Sequence, residues 1–170
     1  MQDKKYKSGF SLIEVMIAIL LIGLAIAALM ASNIAFTKAN GAGTDLSTAE
    51  FLVEQIRELT TLLPVVDPLT PESGVDVFGP DPGETTLATY DDLNDFNGFN
   101  SAALSAPIDA NRNPLVELAA FSQQITVENV NASDFELVVD PLRSSFVRVT
   151  VRVYLNSKEI CSTSWLRARY

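Results

Sequence analysis

Three groups of residues in this chain have the types and spacing to do chemistry. The first is Glu14, the one charge in a stretch that is otherwise apolar: from Val15 to Ala31 all seventeen residues are Ala, Val, Ile, Leu, Met or Gly. An ionised carboxylate in the apolar part of a membrane helix costs a few kcal/mol unless it is paired, so Glu14 calls for a partner. Ser11, three residues earlier, gives the spacing of a helix-start capping box, and a carboxylate there also suits the positive end of the helix dipole. The second group is the Gly9-Phe10 junction, where a basic segment with Lys4, Lys5 and Lys7 gives way to the apolar run. The third is Tyr90-Asp91-Asp92-Leu93-Asn94-Asp95-Phe96-Asn97-Gly98-Phe99. Asp91, Asp92, Asn94, Asp95 and Asn97 put five oxygen-bearing side chains in seven residues, the donor type that Ca²⁺ takes. The spacing departs from the EF-hand pattern, since Phe96 follows Asn94-x where another oxygen ligand belongs. The reading for this string is a solvated acidic turn tacked down by Tyr90, Phe96 and Phe99, and no metal site is assigned.

What the chain lacks bounds its function as firmly. It has no His, hence none of the commonest general base or metal ligand. Its single Cys161 has no imidazole to activate it, and no G-x-S-x-G, P-loop or Rossmann glycine pattern is present. The expectation is a protein that is not an enzyme and needs no cofactor. A net charge of −9 argues against a nucleic-acid binder, which requires a basic surface. One Cys permits no intramolecular disulfide; Cys161 is read as a small buried hydrophobe, with an intermolecular bridge as the lesser alternative.

The elements that must position these residues can be read from periodicity. Residues 10–31 form twenty-two residues of helix, roughly 33 Å at about 1.5 Å per residue, enough for a bilayer core of about 30 Å. The lysines before it predict a cytoplasmic N-terminus and everything after residue 32 on the other side. From 32 to 63 the pattern turns amphipathic. Ala42, Leu46, Ala49, Val53, Ile56 and Leu63, joined by Leu52 and Leu59, line one face, while Asp45, Glu50, Glu54, Gln55 and Glu58 lie opposite. Asn40-Gly41-Ala42-Gly43 is a weak point, because each Gly costs about 1 kcal/mol in a helix interior, but a single helix ended by Pro64 is expected.

Residues 64–114 carry seven of the eight prolines and read as a long acidic loop. Residues 115–170 read as an antiparallel sheet, with strands at 122–130, 135–139, 145–155 and 158–170. The third is the clearest, since Val147, Val149, Val151, Val153 and Leu155 alternate with Phe146, Arg148, Thr150, Arg152 and Tyr154. It should pair with the fourth as a hairpin. Arg148, Arg152, Arg167 and Arg169 are read as a solvated sheet face meeting acids of the loop or of a neighbouring subunit; DNA contact is the disfavoured alternative. The fold class is α+β: a long hydrophobic N-terminal helix packed on a small antiparallel sheet.

Lys4-Lys5-Tyr6-Lys7-Ser8-Gly9-Phe10-Ser11-Leu12-Ile13-Glu14-Val15 with the apolar run after it resembles the N-terminus of type IV pilin precursors. An ordinary signal peptide is a poorer match, because the run exceeds about 7 to 15 residues and the only A-x-A match, Ala25 to Ala27, lies inside it. The resemblance implies a leader at 1–9, cleavage between Gly9 and Phe10 by a prepilin peptidase, and N-methylation of Phe10. It implies that Glu14 pairs with the amine of a neighbouring pilin subunit during assembly. It further implies a helix at 10–63 that serves as membrane anchor and then filament core, a variable loop at 64–114, and a sheet head at 115–170. Loss of the leader removes three Lys and one Asp and leaves a mature net charge of −11. The Tyr90 to Gly98 string resembles minor pilins of the MSHA type, although the lone Cys161 departs from the disulfide-closed C-terminal region of many pilins. The implied function is a minor subunit of a type IV pilus, placed first in the inner membrane as a single-pass protein with a periplasmic head and then in an extracellular pilus. Its implied partners are other pilins, the peptidase, the assembly platform and membrane lipid. A minor pseudopilin of a type II secretion system and a single-pass anchored binding protein are the alternatives.

Overall fold

One helix, α1 (Leu12–Thr61), runs fifty residues without a break. The chain is described here from a computed structural model that covers residues 9–66, 78–141 and 143–169. The expected leader up to Ser8, the breakers Pro68 and Pro71, and Tyr170 lie outside the described residues. By its internal contacts the chain forms two compact units, Met1–Thr44 and Asp45–Tyr170. In the first, α1 is exposed along its apolar run, with Leu12, Met16, Leu20, Leu24 and Met30 all open to the surroundings. It is long and apolar enough to cross a membrane. The Asn40–Gly43 stretch stays helical, so the two glycines do not interrupt it.

In the second unit the sheet has four strands, β1 (Phe121–Asn131), β2 (Asp134–Val138), β3 (Phe146–Leu155) and β4 (Lys158–Ala168), in the order β2-β1-β3-β4 with every neighbour antiparallel. The expected strands are present to within a residue or two at their ends. Asn156 and Ser157 close the β3–β4 hairpin with φ of 49° and 68°, the pair of positive values that a two-residue turn needs to match strand twist. The alternation of β3 has its predicted effect: Val147, Val149, Val151 and Val153 are buried. They meet Phe121, Ile125 and Val127 of β1 on one side. From β4, Cys161 and Trp165 pack in from the other side, Cys161 only partly buried.

The covering helix face is shorter than the sequence suggests. Ala49, Leu52, Val53, Ile56, Leu59 and Thr60 are buried, whereas Ala42 and Leu46 are exposed and Leu63 lies past the end of the helix. The sheet is only wide enough to cover about three turns, so a continuous stripe is buried only where it meets one. Gln55 is also not on a purely solvated face, because its Oε1 accepts from the amide of Ala110 at 3.0 Å. The segment after α1 builds part of the core: Leu93, Phe96, Ala106 and Ile108 are buried, and short 3-10 turns form at Asn94–Phe96 and Ser101–Leu104. Gly98, at φ 80°, turns the chain so that Gly98 N–H donates to Ile125 and the Phe99 carbonyl accepts from it, a conformation that favours glycine.

Two polar side chains lock the layers. Gln123, on the inner face of β1, donates from Nε2 to the carbonyls of Leu52 (2.9 Å) and Ile108 (3.2 Å), and its Oε1 accepts from Ile108 N–H at 2.8 Å. Arg167 of β4 donates to the carbonyls of Thr60 (2.6 Å) and Leu63 (2.9 Å), satisfying groups that a helix end leaves without partners. Arg167 is thus no part of a solvated basic face. Arg148 is held by Glu128 and Glu136, and Arg152 lies 4.0 Å from Glu159. The acids that Arg148 and Arg152 meet within the chain belong to the sheet itself and not to the loop, one of the two expected sources. Arg167→Ala should lower stability by about 2 kcal/mol, read as a shift of the urea midpoint of the detergent-solubilised chain; an unchanged midpoint would rule out a capping role.

Candidate functional site

The Gly9-Phe10 peptide precedes the helix in exposed chain outside any regular element. Phe10 is 84 % exposed, and a side chain built on Gly9 would meet nothing within 4 Å. The bond is therefore open to a second protein, and Gly9 has no structural demand within this fold to explain it.

Ser11 and Glu14 form a reciprocal capping box. Glu14 N–H donates to Ser11 Oγ at 3.3 Å, and Ser11 N–H donates to Glu14 Oε2 at 3.4 Å. Both bonds are long and both residues are exposed. A carboxylate offers about four lone-pair positions, so the box leaves most of the acceptor capacity of Glu14 to an incoming donor. Leu12, Ile13, Val15 and Met16 surround it with exposed apolar surface, in which a charge is stable only with a counter-charge.

An exposed apolar N-terminal helix and a C-terminal helical face packed on a four-stranded antiparallel sheet define a pilin-like α+β protein. Residues 4–30 match the family described as the prokaryotic N-terminal methylation motif, which marks the N-terminus as that of a type IV pilin-like prepilin. No curated protein and no solved structure gives a match to the chain.

The acidic string behaves differently from the expected solvated turn. Asp92, Asn94 and Asp95 are each about 1 % exposed, and Phe96 is fully buried, with Tyr90 edge-on to it at 5.3 Å. The polar groups go inward because the backbone needs them. Asp92 Oδ1 accepts from the amides of Asn94 and Asp95, and Asp95 Oδ2 accepts from those of Asp91 and Asp92. Burial pushes the carboxyls of both Asp92 and Asp95 up to about 7, against the pull of these amides. Asn97 is separated from the group, its amide donating to Phe78 and its carbonyl accepting from Val127. Of the five oxygen-bearing residues singled out in the sequence, only Asp91 and Asp95 come together with a third carboxylate, that of Glu84. Sequence reasoning missed Glu84 because it lies outside the string. It also missed Gln123, which reads as one more residue in an alternating strand.

Proposed function

We propose that this chain is a minor pilin of a type IV pilus. It is inserted in the inner membrane by residues 10–31 with its head in the periplasm, cut between Gly9 and Phe10, N-methylated on Phe10, and then drawn into the filament. The observation that carries the reading is the exposed Ser11–Glu14 box in an otherwise apolar helix, directly behind an accessible Gly-Phe bond. A charge so placed is stable in a filament core only beside a cation, and the amine released at Phe10 of a neighbouring subunit is the cation that the processing step itself creates. The Tyr90 to Gly98 string favours the pilus over a secretion pseudopilus.

Mass spectrometry of the chain recovered from sheared filaments tests the whole sequence of events. The expected N-terminus is methylated Phe10. A chain that still begins at Met1, or one cut after Ala27, would overturn the proposal.

A further inference from the structure

The turn that brings Glu84 to Asp91 and Asp95 is unusual in its charge. From Glu58 to Asn111 the chain carries ten Asp or Glu and not one Lys or Arg, yet part of this stretch folds inward. One carboxylate oxygen each from Glu84, Asp91 and Asp95 lies within 4.8 Å of the other two. Among the described residues, no basic side chain forms an ion pair with Glu84 or Asp95. The nearby Arg112 is turned away, donating to the carbonyls of Leu87 and Ala88.

A second observation separates this group from an ordinary acidic surface. Asp95 is 1 % exposed, and its two oxygens are not alike. Oδ2 accepts two backbone amides, whereas Oδ1 is buried and accepts no hydrogen bond. A buried carboxylate oxygen without a donor costs several kcal/mol, and native folds leave very few such atoms. This one belongs to a carboxylate that shares its site with two more. Two things can fill such a place beside Glu84: a proton shared between the carboxyls, or a cation that takes oxygen ligands only, since the chain has no His.

We propose that Glu84, Asp91 and Asp95 form a binding site for a hard divalent cation of the Ca²⁺ type. The cation takes the free oxygen of Asp95 from below and the carboxylates of Glu84 and Asp91 from the surface. It completes its shell with water and backbone carbonyls, as a cation that accepts six to eight oxygens can. Asp92 is not a ligand, because its Oδ1 is committed to the turn. Glu84 is fixed by the turn at 81–84, where its Oε2 accepts from Asp81 N–H at 3.2 Å and its own N–H donates to Asp81. Binding thus staples that turn to the Asp91–Asp95 turn and orders the surface between them. Three carboxylates and an extracytoplasmic setting place the expected affinity in the range of about 0.1 to 1 mM.

The test uses the full-length chain in detergent micelles, with thermal melting in EDTA, in Ca²⁺ and in Mg²⁺, and a calorimetric Ca²⁺ titration. The parent should melt several degrees higher in about 5 mM Ca²⁺ than in EDTA, with a smaller rise in Mg²⁺ and a saturable heat. Glu84→Gln and Asp95→Asn should each lose the Ca²⁺ rise. In EDTA both should melt no lower than the parent, because removing one charge relieves the repulsion that the cation otherwise neutralises. No Ca²⁺-dependent rise in the parent would mean that the carboxyls share a proton instead, and would overturn the proposal. So would a full Ca²⁺ response retained by Glu84→Gln, whose carboxylate is partly exposed and whose replacement leaves the core untouched.

Discussion

Filaments from cells expressing Glu14→Ala are expected to lack the chain, while the same protein remains in the membrane fraction, processed and methylated at Phe10. The expectation rests on where Glu14 stands. It is the one charge between Phe10 and Ala31, exposed on an apolar helix. Moving an unpaired carboxylate into an apolar filament core costs several kcal/mol, and pairing it with an amine recovers that cost only in one register. A tenfold change in incorporation needs only about 1.4 kcal/mol, so the loss should exceed tenfold. Glu14→Gln separates this role from capping. A glutamine serves N3 of a capping box as well as a glutamate does, so the helix start survives and the charge does not. If Glu14→Gln entered filaments at the parental level, by immunoblot of sheared filaments against membranes, charge pairing would be refuted and capping would suffice.

Gln123→Leu is expected to remove about 3 kcal/mol of stability from the head, the second large effect. The substitution roughly keeps the volume of the side chain but strands Ile108 N–H and its carbonyl in the core, each at about 1 to 3 kcal/mol, and cuts the link to Leu52 of the helix. Trp165, the only tryptophan, sits on β4 beneath Arg57 at 5.0 Å and reports the loss of this packing. Denaturant titration of the solubilised chain followed by its fluorescence should give a clearly lower midpoint. A change under about 0.5 kcal/mol, the range of ordinary surface substitutions, would show that Gln123 only fills space.

Much of this architecture is legible in local pattern, because local pattern is what it rests on. The valines of β3 alternate since one face is buried, and Asn156-Ser157 turns since both residues tolerate positive φ. Glu14 stands out because nothing around it is polar. The rest depends on contacts between distant segments, which leave little local trace. Asp92 and Asp95 read as water-loving, yet the amides that hold them inward exist only once Leu93 and Phe96 are packed. The stripe from Ala42 to Ile56 is continuous in sequence, but the extent of the sheet decides that burial begins at Ala49. Glu84 and Asp91 meet across a turn whose acids follow no ligand spacing, so the group emerges only in three dimensions.

The bonds from Arg167 to Thr60 and Leu63 join residues more than one hundred positions apart. A chain made from its N-terminus delivers Arg167 only after β1, β2 and β3. Until then the Leu63 carbonyl lacks this donor, the Thr60 carbonyl keeps only the 3.4 Å bond from Leu63 N–H, and the helical face from Ala49 to Thr60 lacks the part of its cover that β4 supplies. β4 therefore works as a latch on the end of α1, and a chain stopped short of it leaves part of an apolar helix face open to proteolysis and to its neighbours.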